Sequence, residues 1–257
     1  MNNIISTLAI FFLLLNIPVT GSEASEKATA DNDVLFQYST LGSLLEGVYD
    51  GEMTYAQIKE RGDFGLGTFN ALDGEMIVID HQIYQIKADG VAYKVSDGMK
   101  APFVVVTYFE PDQTVKIAKT MDCGQLKEYI DSLLTTKNIP YAVRIEGTFA
   151  YMKTRSVPRQ NKPYPRLLDV LKNQPTFEFN KMEGTVVGFR LPNYMDRANA
   201  PGYHFHFITK ERNAGGHLLE CQTQDVKIEI DYTDQWHTIL PGDDAFYNVK
   251  MSGDKYQ

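Results

Sequence analysis

Three of the five histidines in the 257-residue chain fall between His204 and His217, inside the stretch GYHFHFITKERNAGGHLLEC. In an extended strand, residues two apart share a face. His204 and His206 therefore point one way, and Tyr203, Phe205 and Phe207 point the other. The segment KERNAGG is polar and glycine-rich, which suits a reversal, and GHLLEC then runs back antiparallel. A pairing centred near residues 210–212 sets His217 beside His204 or His206 on the same face. The pattern thus predicts a β-hairpin that gathers three imidazoles with no help from distant segments. Three protein ligands with a fourth position open is the arrangement of a catalytic zinc site. The plain alternative is three unrelated surface or core histidines. His81 and His237 have no such company and are read as ordinary.

The remaining pattern predicts a sheet-dominated α+β (mixed α/β) fold. An N-terminal mixed β-sheet with helices is expected over residues 34–175, and a smaller antiparallel β region carrying the hairpin over 176–257. Leu41, Leu44, Leu45 and Val48 have helical spacing, with Ser39 or Thr40 as N-cap and Gly51 past the end. TYAQIKERG reads as a second short helix. From Leu66 to Val95 the pattern alternates, broken by Asp73-Gly74 and Asp89-Gly90, which predict type I′ hairpin turns. PFVVVTYFE reads as a strand. CGQLKEYIDSLLTTKN places Leu126, Ile130, Leu133 and Leu134 on one helical stripe. YAVRIEGTFAYMKTRSV returns to strand, NKPYPRLLDVLKNQP holds a short helix, and strands and turns follow to Val249.

Net charge is −8, so the protein as a whole does not attract nucleic acid or an anionic membrane. An anionic substrate would need a local cation, either an arginine or a metal. Ile4 to Val19 is nearly all apolar and is followed by Thr20, Gly21 and Ser22, which reads as a signal peptide over residues 1–21. Residues 22–33 read as a flexible leader. The expected location is secreted or periplasmic, with no membrane attachment after cleavage, and a homodimer is left open. Cys123 and Cys221 either pair, as an oxidising compartment allows, or serve as small core residues.

An H-x-H pair occurs in several metal folds. HFHFITKE also fits the cupin pattern, with Glu211 as a further ligand, although Ala198 stands where cupins carry glycine and a second cupin box is missing. In α-type carbonic anhydrases a tryptophan follows the pair, where this chain has Phe207. Three separated blocks are more specific in combination. They are GTFNALDGEM with its following YQI, EGTFAYMKTRSVPRQNKPYPRL, and YHFHFI with GGHLLEC. Together they resemble the alpha-acetolactate decarboxylase family from about Val34 to Val249.

The resemblance implies a zinc-dependent carboxy-lyase that converts 2-acetolactate, a small anionic substrate, to acetoin and CO2. It places the zinc ligands on His204, His206 and His217, and the catalytic residues on Arg155, Glu75 and Thr68. It also implies a second glutamate in the C-terminal tail, where VKMSGDKYQ has none and Asp254 is the only acid. The chemistry suits these residue types. The ketone and hydroxyl oxygens of acetolactate can chelate one cation, which would stabilise the enediolate left when CO2 departs. Arg155 matches a carboxylate bidentately. Glu75 can return the proton if burial raises its pKa, and Thr68 can bond the substrate or orient Glu75. Two other readings stand beside this one: a cupin-like Fe or Mn enzyme, and an exported binding protein that holds the metal without turnover.

Overall fold

The computed structural model describes residues 33–251. The expected signal peptide, nearly all of the expected leader, and Asp254 lie outside the described residues. In chain order the elements are β1 (Val34–Tyr38), α1 (Leu41–Leu45), β2 (Met53–Thr54), α2 (Tyr55–Lys59), β3 (Phe64–Thr68), β4 (Glu75–Ile79), β5 (Gln82–Ile86), β6 (Ala92–Lys94), β7 (Lys100–Ala101), β8 (Val104–Thr107) and β9 (Gln113–Ile117). There follow α3 (Cys123–Leu133), β10 (Tyr141–Arg155), α4 (Leu167–Val170), β11 (Thr176–Leu191), β12 (Gly202–Thr209), β13 (Gly215–Tyr232), β14 (Gln235–Ile239) and α5 (Asp244–Asn248).

The local signals act as their chemistry dictates. Thr40 caps α1, its hydroxyl accepting from Ser43 N at 3.2 Å. That helix ends sooner than expected, at Gly47 rather than Gly51, because Gly47 takes the left-handed conformation (φ +89°) that stops a helix. Thr54 and Gln57 form a capping box on α2, as Asp122 and Gln125 do on α3. The turn chemistry differs from expectation. Asp73 keeps φ at −82°, and the positive φ angles of that loop fall on Ala71, Leu72 and Gly74. In the next hairpin only Gly90 of the Asp-Gly pair is left-handed. The tight two-residue turn is instead Asp80-His81 (φ 51° and 59°), which joins β4 to β5 with Ile79 opposite Gln82. Asp and His tolerate that conformation better than most residues, so the turn was available without glycine. The strand-and-turn reading of the C-terminus also misses α5, which Asp243 caps by accepting from Phe246 N at 2.8 Å.

Seven strands form one mixed sheet in the order β14-β1-β8-β3-β4-β5-β6, with β1 and β14 parallel and the other pairs antiparallel. A second, antiparallel sheet has the order β10-β11-β12-β13-β9, and β10 also pairs with β13, closing a ring of four strands. Both sheets cross the boundary expected at residue 175. β9 and β10 belong to the second sheet, and β14 returns to the edge of the first. A cut at 175 would strip both edges of β10 of their backbone partners, so the sheets do not follow the two halves of the sequence.

Apolar side chains fill the space between the sheets, among them Leu66, Ile77, Ile86 and Val105 from the first and Ala142, Val187, Phe189 and Ile208 from the second. The outer face of the second sheet packs on α3 through Phe205, Phe207, Ile228, Leu126 and Ile130. Met76, Val78, Val104 and Val106 on the outer face of the first sheet pack with Tyr55 and Ile58 of α2. The central strands β3, β4 and β8 of the first sheet are therefore covered on both faces. This is why runs such as MIVI and VVV lack a polar alternate. Among the described residues no helix is long and apolar enough to cross a membrane.

Cys123 and Cys221 form a disulfide that ties the start of α3 to β13 across 98 residues of sequence. Closing a loop of that size restricts the unfolded chain, so replacing both cysteines with alanine is expected to lower the unfolding free energy by about 2–4 kcal/mol. Urea denaturation of the double variant measures this, and an unchanged midpoint would contradict it.

Candidate active site with a three-histidine metal centre

β12 and β13 form the hairpin, and His206 pairs directly with His217, so the reversal is centred between residues 211 and 212. His204 and His206 lie opposite Phe189 and Val187 of β11 and face the space between the sheets. Phe205 and Phe207 turn to the α3 side. The three imidazole centroids stand 5.0–5.2 Å apart. One ring nitrogen from each lies within 4.8 Å of the others, the one such group of three or more histidine, cysteine or acidic side chains among the described residues.

The rings are prepared for a cation. His206 is 1 % exposed, and its Nδ1 lies 2.7 Å from the carbonyl of Met76 on β4. A carbonyl only accepts, so Nδ1 carries the hydrogen and Nε2 presents a lone pair. Nε2 is buried and makes no hydrogen bond. Burial, helped by the nearby Arg155 charge, pushes the His206 pKa down to about 3 against the Met76 hydrogen bond. Burial, Arg155 and the neighbouring imidazoles likewise hold His204 and His217 well below the usual histidine range. Three neutral, converging imidazoles, one with a buried lone pair and a fixed tautomer, fit a divalent metal ion.

One cavity is lined by His204, His206, His217, Glu75, Thr68 and Arg155. Glu75 opens β4, opposite Thr68 of β3. Its Oε2 lies 3.5 Å from His206 Nε2. Burial raises its pKa to about 7, with Arg155 opposing the shift. Thr68 donates its hydroxyl hydrogen to the carbonyl of Gly74 at 2.7 Å, which closes the loop leading into Glu75. Its oxygen is left to accept. Arg155 ends β10 directly opposite His217 and is 7 % exposed. Its Nη1 donates to Gln174 Oε1 at 2.8 Å. The six residues onto which the resemblance places metal ligands and catalytic groups therefore line one cavity.

Other contributors carry no local signal. Leu41, Leu44, Phe103, Val157, Leu167 and Leu171 form apolar walls. Periodicity marks such residues as buried without saying what they face. The Met76 carbonyl and Gln174 are equally silent, because a backbone oxygen or a lone amide has no pattern. Glu211 sits exposed in the hairpin turn and does not line the cavity, so the cupin-like ligand set is not assembled.

The sequence profile of the alpha-acetolactate decarboxylase family matches residues 35–253. The chain belongs to the alpha-acetolactate decarboxylase family. It is 44% identical over 246 residues to the alpha-acetolactate decarboxylase of Methanosarcina mazei, covering 92% of this chain and 85% of that one. It is 45% identical over 222 residues to the alpha-acetolactate decarboxylase of Methylococcus capsulatus, covering 86% of this chain and 85% of that one. The crystal structure of alpha-acetolactate decarboxylase from Bacillus subtilis strain 168 superposes with a TM-score of 0.84 at 40% identity, covering 86% of this chain and 94% of that one. Family membership makes this chain a carboxy-lyase and displaces the cupin-like reading.

Proposed function

We propose that the protein decarboxylates 2-acetolactate to acetoin and CO2 in this cavity, with a zinc ion held by His204, His206 and His217. The observation that carries the reading is convergence. Among the described residues, one cavity in a chain of this family gathers three neutral imidazoles, the Glu75 carboxyl and the Arg155 guanidinium behind apolar walls. The metal, when bound, supplies Lewis-acid stabilisation of the negative charge that develops as the C–C bond breaks.

The chain's own groups do the rest. Among the described residues Arg155 is the one Lys or Arg side chain on the cavity wall, and its guanidinium receives the substrate carboxylate bidentately. Leu41, Leu44, Phe103 and Val157 exclude water, which strengthens every charge interaction inside. Among the described residues Glu75 is the one acid on the wall, and it delivers a proton to the carbon that has lost CO2. Thr68 fixes the loop that aims Glu75, and the Met76 carbonyl fixes the His206 tautomer. The carboxylate leaves as neutral CO2, so nothing holds it on Arg155 once the bond is broken.

The reading is tested by mixing purified protein with racemic acetolactate and measuring acetoin, with and without a chelator and after zinc is restored. No metal-dependent acetoin would remove it, and iron in place of zinc by elemental analysis would remove the zinc assignment. Glu75→Gln keeps the shape and loses the acid. It is expected to lower kcat roughly 100-fold or more while KM stays near wild type. An unchanged kcat would assign proton delivery elsewhere. The N-terminal apolar run and the Cys123–Cys221 disulfide support a secreted or periplasmic location.

A further inference from the structure

Resting on the reading of Arg155 as the carboxylate receptor, we infer that Gln174 is a positioning residue that sets the guanidinium through a neutral acceptor, adding no negative charge beside it. The chain leaves β10 at Arg155, makes a long excursion through α4, and returns beside its starting point. Ser156 N donates to Pro175 O at 3.2 Å, and Arg155 pairs with Thr176 at the start of β11. The backbone thus delivers Gln174 to Arg155 from 19 residues away, and Gln174 Oε1 accepts from Arg155 Nη1 at 2.8 Å. Arginine has no acceptor atom, so the amide oxygen must face it. Leu167 and Leu171, at helical spacing before Gln174, line the cavity, so the segment that builds the apolar wall also orients the cation.

The residue type is informative. Buried or half-buried guanidinium groups are commonly held by carboxylates, which make stronger hydrogen bonds. Here a carboxylate would fix Arg155 equally well, yet it would cancel the charge meant for the substrate and repel the incoming anion. A neutral acceptor orients without neutralising.

The test compares Gln174→Glu and Gln174→Met, both close to glutamine in volume, in the full chain with its metal. Binding is measured by calorimetry for two probes: 2-hydroxy-2-methylpropanoate, an anionic analogue without the ketone, and acetoin, which is neutral. Gln174→Glu is expected to weaken the anion about tenfold or more and to change acetoin less than twofold, while bound metal is retained. Gln174→Met, lacking an oxygen acceptor, is expected to weaken the anion less than Gln174→Glu does. In turnover, the Gln174→Glu loss should fall mainly on KM. Wild-type affinity for the anion in Gln174→Glu would overturn the inference. So would equal losses for both probes, which would mark a collapsed pocket rather than a misplaced charge. The binding arm is independent of turnover. If wild type made no acetoin, the proposed reaction would fall, whereas the role of Gln174 would still be decided by the anion and by its loss in Arg155→Ala.

Discussion

His206→Ala is expected to lose most bound metal and to lower kcat/KM on the order of 1,000-fold or more. His206 stands at the centre of the site. It pairs with His217 across the hairpin, lies 5.2 Å ring to ring from both other imidazoles, and takes its tautomer from Met76. Removing it leaves two ligands, too few to hold a divalent ion firmly against water. The fold should tolerate the change, since the ring's one hydrogen bond is to a single carbonyl and the surrounding sheets keep their pairing. Elemental analysis and acetoin formation are measured on the same preparation, beside a circular dichroism melt. Full metal content with normal turnover would show that these histidines are not the ligands.

Arg155→Ala is expected to separate binding of the anion from binding of the metal. Metal content should match wild type, because Arg155 lies opposite His217 without being one of the converging ligands. Activity should fall roughly 100- to 1,000-fold, the scale for removing one partner of a desolvated charge pair. Arg155→Lys should recover only part of this, since an ammonium cannot reproduce the bidentate contact. Kinetics on the two variants, with metal analysis, decide the point. A normal rate in Arg155→Ala would assign the carboxylate to another cation. The two predictions cross-check each other: His206→Ala should lose the metal, whereas Arg155→Ala should lose turnover with the metal in place.

Legibility differed from element to element for physical reasons. The hairpin was readable because its information is local: period-two alternation sets the faces, and the glycine-rich reversal sets the centre. Caps at Thr40, Thr54 and Asp122 are local in the same sense, each bonding a backbone N–H three residues on. Turn type was less legible. Positive φ can be taken up by Asp80 and His81 as well as by glycine, and a longer loop can shift it to Ala71 and Leu72. Strand partners beyond the next turn were not legible at all. β10 satisfies both of its edges with strands far along the chain, so residue 175 looked like a boundary where the sheets place none.

The sequence by itself determined that three imidazoles share one face of one hairpin, because strand periodicity and a flexible reversal allow little else. Through the likeness of three separated blocks to a known family, it also pointed to Arg155, Glu75 and Thr68 as candidate site residues. Only the tertiary structure decided that these residues meet. Glu75 and Thr68 arrive on the seven-stranded sheet and the histidines on the other, and packing of the two sheets across a shared apolar layer closes the gap. That packing also selects the Met76 carbonyl for His206 and returns Gln174 to Arg155, contacts that rest on backbone register between distant segments and leave no periodic trace in the chain.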